Sequence, residues 1–130
     1  MNTYDKYTKK QIELLNLQML ASVIFIITII VSIYLTYSDK QNIINNKKES
    51  NLDLSLLNRI VVLILALVYV YINLNNTYIA KKRNQNLDSF YIENIASFVA
   101  LLAALLILYV VYINRKNNSF NVSDIENPTL

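Results

Sequence analysis

Residues 94–114, NIASFVALLAALLILYVVYIN, carry no charge, and this stretch restricts the fold more than any other in the chain. At a helical rise of about 1.5 Å per residue it is long enough to cross the ~30 Å hydrocarbon core of a bilayer. Twelve of its residues are Leu, Ile, Val or Phe. Each favours insertion by roughly 0.3 to 0.6 kcal/mol near the helix centre. Wound as a helix, the segment has two unlike faces. Glu93, Ala96, Ala100, Ala103 and Asn114 share one, with Ala104 at its edge, and Phe98, Leu102, Leu105, Tyr109 and Tyr112 share the other. Apolar side chains gain little by leaving lipid tails that are equally apolar, whereas small residues let helix backbones approach closely. The alanine face is therefore predicted to pack against protein and the leucine face to meet lipid.

Two further uncharged runs precede it, residues 14–38 and 60–80. The first follows Lys6, Lys9 and Lys10 as a signal peptide would, but it is too long and lacks a small-residue cleavage site, so it reads as a retained helix over about residues 11–38. Gln18, Ala21, Ser22, Thr28, Ser32 and Thr36 recur along it at steps near three and four, a seam for helix packing. Their hydroxyls are expected to bond across helices or back to their own backbone carbonyls, since no charge lies along the line. The second helix is predicted over 53–80, capped by Asp53. Arg59 lies one turn inside it and shares a face with Leu63, Ala66, Val70 and Asn73. That placement turns the arginine toward the packed side, as an interfacial side chain or as an anion or headgroup site. The third helix is predicted over 88–115, capped by Asp88 or Ser89. Residues 117–130 are polar, too poor in apolar side chains for a core, and are expected to form a flexible tail.

Three spans with short loops predict an all-α membrane protein, a single domain of three transmembrane helices in an up-down-up antiparallel bundle. Tyr34, Tyr37, Tyr109 and Tyr112 would then form an aromatic belt on one side, and Tyr69, Tyr71, Phe90 and Tyr91 on the other. The same stacking brings Gln18, Asn73 and Glu93 to one level, a candidate cluster for protons or cations, with Arg59 near the opposite level. Asn51-Leu52-Asp53 and Asn86-Leu87-Asp88 echo one another before the second and third spans, an echo that a duplicated helix and the recurrence of caps explain equally well. Basic residues flanking the spans number six on each side, so orientation is close to a tie that also admits dual topology. The dense Lys81, Lys82 and Arg83 cluster favours a cytoplasmic N-terminus.

The chain has no Cys, His or Gly. These absences exclude disulfides, thiol nucleophiles, the commonest metal ligand and general base, and the glycine-rich phosphate loops. No cofactor, metal, small-molecule substrate or nucleic acid is expected, and the net charge of +3 lies beside the apolar runs, where a membrane surface accounts for it. The Asn-, Ile-, Lys- and Tyr-rich composition points to an AT-rich source such as a low-GC bacterium or its phage. The expected partners are the lipid bilayer and either further copies of the chain or another membrane protein. Two functions fit: an accessory, regulatory or immunity-type subunit without catalysis, or an oligomeric pore former. In span number and loop length alone the chain resembles phage holins, and no motif carries that resemblance further.

Overall fold

A computed structural model describes residues 5–47 and 52–116. They form three helices, α1 (Lys6–Ile44), α2 (Leu52–Lys82) and α3 (Asp88–Lys116), each long and apolar enough to cross a membrane. The expected tail over 117–130 lies outside the described residues.

α1 is longer than expected at both ends. Its 39 residues extend about 58 Å, beyond the full thickness of a bilayer. Asp5 begins it: the Oδ1 accepts the Thr8 backbone N–H at 2.7 Å, which satisfies one of the donors a helix start leaves open. The polar residues that seemed to delimit the span are helical too, because the helix continues past its apolar stretch into the flanking Lys and Asn residues.

Both long helices that end in loops stop in the same way. Asn46 and Asn84 adopt φ of 56°, the left-handed conformation that glycine usually supplies, and this chain has no glycine. Each is held by paired bonds back to the helix. Lys47 donates to the Asn42 carbonyl at 2.8 Å and Asn46 to Ile43 at 3.2 Å; Gln85 donates to Ala80 at 3.0 Å and Asn84 to Lys81 at 3.3 Å. Asn tolerates this backbone better than other residues that carry a Cβ.

The starts of α2 and α3 correct two details. Asp53 lies inside the first turn of α2, one residue past its start at Leu52. At α3 the cap comes from Asn86, whose Oδ1 accepts the Asp88 N–H at 3.0 Å, so Asp88 and Ser89 are already helical. Asp88 in the first turn still meets the positive end of the helix dipole.

α2 is the central helix and packs on both others. Lys10 on α1 reaches Tyr71 on α2 while Asn58 on α2 reaches Ser32 on α1, so these helices run antiparallel. Asn94 meets Thr77 at the second-loop end, and Leu56 and Ile60 meet Leu105 and Tyr109 at the other, so α2 and α3 do the same. The buried rows repeat by sevens or by threes and fours: Leu14, Ala21, Thr28, Ser32 and Leu35 on α1; Ser55, Asn58, Val62, Leu65, Ile72 and Ile79 on α2; Ser97, Ala104 and Val111 on α3. That spacing is the one that keeps two helices in contact through a shallow left-handed crossing. Ile26, Ile30 and Ile33 on α1 and Val99, Leu102 and Leu106 on α3 are exposed, as are the expected lipid-facing residues Phe98, Leu105, Tyr109 and Tyr112. A protein in water would hide such surfaces.

Candidate functional site

Two groups of polar side chains lie along the helices, in a closed seam between α1 and α2 and in an open groove between α1 and α3.

The seam holds Thr28 and Ser32 from α1 and Asn58 from α2, all buried, and Asp39, Ser55 and Arg59 are buried toward the same end of the molecule. Asn58 is its centre: Nδ2 donates to Ser32 Oγ at 3.0 Å and to the Thr28 carbonyl at 3.3 Å. Two hydroxyls bond back along their own helix, Thr28 to the Phe25 carbonyl at 2.6 Å and Thr36 to Ser32 at 2.9 Å. The serine and threonine line therefore serves both cross-helix and local bonding, as expected. Arg59 faces the packed side as expected, and it is buried, not raised to the surface. Neither it nor Asp39 is without a polar partner. Arg59 stands out in the sequence by its charge, whereas Asn58 does not. The signal was an amide one position before a charged residue, at the level of Ser32 once the hairpin is closed.

The groove has a volume of about 460 Å³, walled by Phe25 of α1 and by Glu93, Ala96 and Ala100 of α3, with Ala66, Tyr69 and Asn73 of α2 as its floor. Here the alanine face divides between α2 and open space. Ala104 is buried and Ala103 half-buried, but Ala96 and Ala100 are exposed within the chain. The reason is that α3 touches α2 through the neighbouring row Ser97, Ala104 and Val111, and polar bonds set that rotation. Asn94 Nδ2 donates to Thr77 Oγ1 at 2.9 Å, and Asn73 Nδ2 reaches the Glu93 carbonyl at 3.5 Å. In lipid, where apolar faces barely discriminate a helix from acyl chains, such bonds can decide which face turns inward. The Asn94 Oδ1 is buried without a donor among the described residues.

Of the expected polar cluster, Asn73 and Glu93 share the groove, whereas Gln18 faces away into a separate hollow beside Met19 and Val23. Arg59 is buried toward the first-loop end of the molecule. Ser22, expected in the packing seam with Ala21, is exposed while Ala21 is buried. Its Oγ donates to the Gln18 carbonyl at 2.9 Å and lies 3.1 Å from the Tyr69 hydroxyl, which is left to donate to it. Among the described residues no three acidic side chains converge as a metal site would require.

At the second-loop end, Arg83 binds the two helices together. Its guanidinium donates to Gln11 Oε1 at 2.7 Å, to Thr8 Oγ1 at 2.8 Å and to Asp5 Oδ1 at 3.3 Å. The Asp5 carboxyl is held below its usual range, first by the Thr8 backbone N–H, then by the Thr8 hydroxyl, with the Arg83 charge adding to both. No protein family, curated protein or solved structure matches the chain, and its own residues are what a functional reading must rest on.

Proposed function

We propose that the chain is a small integral membrane protein that performs no catalysis and acts by packing against a membrane partner, as an accessory, regulatory or immunity-type subunit. In this reading the helices cross a bacterial cytoplasmic membrane up, down and up, with the N-terminus and second loop in the cytoplasm. The observation that carries the reading is the groove between α1 and α3, where Ala66, Ala96 and Ala100 present small side chains to an unfilled space. A partner helix could approach closely there, which is how helices associate in lipid. The orientation is supported by the burial of Arg59. With that arginine removed from the flanking charges, the N-terminal and second-loop side carries six basic residues against five opposite.

The chain lacks cysteine, so a single Cys at Ala100 gives a unique crosslinking site. In native membranes it is expected to yield one discrete heteromeric product with the membrane potential intact. A Cys at Leu106, on the exposed face, should yield none. Absence of any product at Ala100, or equal products at both positions, would overturn the reading. The holin-like pore is favoured by one feature: Asn73, Glu93 and Ser97 bring polar atoms to the same groove. A ladder of homo-oligomers from Ala100, a collapsing potential and an ion flux altered by Glu93→Gln would establish that alternative.

A further inference from the structure

The second-loop end of the molecule holds a pocket of about 500 Å³ between the start of α1 and the end of α2. Tyr7 and Tyr78 wall it, their ring centroids 6.4 Å apart and their planes at 58°. Lys6, Lys9 and Lys10 line it from one helix, and Asn75 and Ile79 from the other. The ammonium groups of Lys6 and Lys10 in the lining, and of Lys82 outside it, are held against aromatic rings. Lys6 Nζ lies 5.6 Å from the Tyr7 centroid, and Lys82 Nζ lies 5.5 Å from that of Tyr78. Lys10 Nζ donates to the Tyr71 hydroxyl at 2.9 Å. Glu13 is the one carboxylate in the lining, against three lysines.

Arg83 is taken up by Gln11, Thr8 and Asp5, so it fixes the two walls relative to each other. The lysines keep capacity that their own contacts do not use, since an ammonium has three donors. The pocket also sits where headgroups would sit. Lys10 lies just before the uncharged run that begins at residue 14, and the far wall belongs to the last turns of α2. Aromatic rings at that depth favour the glycerol region of lipids, and clustered lysines favour their phosphates.

We propose that this pocket binds the phosphodiester headgroup of an anionic phospholipid, with Lys6, Lys9 and Lys10 as the charge-recognising groups and Tyr7 and Tyr78 as walls against the glycerol. The site rests on the reading that the chain spans a membrane. Lipid held there would anchor the N-terminal side of the bundle to an anionic leaflet and oppose inversion of the protein.

The test uses the full chain in detergent micelles doped with equimolar phosphatidylglycerol and phosphatidylcholine, with retained lipids counted by native mass spectrometry. Phosphatidylglycerol is expected to be retained in preference on the order of tenfold, the scale that a few lysines near anionic lipid provide. Replacing Lys6, Lys9 and Lys10 together by Gln should bring retention close to parity, while replacing all three by Arg should preserve the preference. Replacing Lys40 and Lys47, exposed at the other end of the molecule, by Gln should leave it unchanged. Parity in the unaltered chain, or a preference that survives the triple Gln change, overturns the site. Displacement of the lipid by excess inorganic phosphate would make it a free-anion site and overturn the assignment to a headgroup. Release of the protein from native membranes by carbonate would instead defeat the spanning reading, an outcome separate from equal lipid retention.

Discussion

The two ends of the α1–α2 hairpin each contain an aspartate and an arginine, and they treat them in opposite ways. At the second-loop end the Asp5 and Arg83 side chains are 65% and 28% exposed and lie 3.3 Å apart. Toward the first-loop end Asp39 and Arg59 are 5% and 2% exposed. Water screens the first set and is missing from the second. An exposed ion pair contributes little, because each charge is solvated with or without its partner. A buried charge makes its contacts in place of a hydration shell, and it is costly to leave them unmade. The same residue types thus serve as an adjustable surface tie at one end and a fixed structural element at the other.

The largest test of this contrast is Arg59→Ala. Its removal takes away a buried charge together with the contacts that hold it and is expected to destabilise the fold by about 3 kcal/mol. Unfolding in mixed micelles of rising denaturing-detergent content would measure it. A loss no greater than that of Arg83→Gln would abolish the distinction between the two ends. Arg83→Gln is expected to leave stability near that of the parent at moderate salt, with any loss confined to low ionic strength.

Asn58→Ala comes next. It deletes the amide that joins α2 to Ser32 and to the Thr28 carbonyl. Interhelical bonds of this kind contribute about 1 kcal/mol in membranes, since the unfolded chain also finds partners there. A double cycle with Ser32→Ala sharpens the point: strong coupling is expected between Asn58 and Ser32, and none between Asn58 and Ser22, which bonds toward Tyr69. Additive losses for Asn58 and Ser32 would mean that the seam is held by packing alone.

How much of this was legible beforehand follows from the same physics. The three long apolar helices and the exposed residues of α3 were readable because insertion depends on long uncharged runs, a property local to the chain. The rotation of α3 was not. Small size marks Ala96 and Ala100 as able to pack, but Asn94 and Asn73 turn the row of Ser97 and Ala104 to α2 instead. Asn94 stood only as the first residue of its uncharged run, and Asn73 as a member of a polar cluster, until the fold placed Asn94 beside Thr77. Helix ends were blurred for a related reason: polar residues end an apolar run without ending a helix, and the true stops are the left-handed Asn46 and Asn84. Arg59 was read correctly as facing inward. The burial of Asp39 was missed, because its position after residues 14–38 suggested a loop.

The smallest effect is the pH response of the exposed end. The Asp5 carboxyl accepts the Thr8 N–H and hydroxyl and lies beside Arg83, which together lower its pKa in the folded protein from the ordinary 3.8. Because the folded value is the lower one, the charged form stabilises the start of α1 fully above the ordinary value. That stabilisation is lost as pH falls through the depressed value. Acidification from neutrality to about pH 5, above the ordinary carboxyl range, should therefore leave the Thr8 amide protected, and protection should fail only once Asp5 protonates. Hydrogen exchange at Thr8, corrected for the intrinsic pH dependence of exchange, reads this directly. Asp5→Asn is expected to flatten the acid response while keeping part of the cap, since an amide oxygen still accepts the bond. An acid response that persists unchanged in Asp5→Asn would transfer the titration to another carboxylate, Glu13 being the nearest in sequence, and would break the assignment of the surface tie to Asp5 and Arg83.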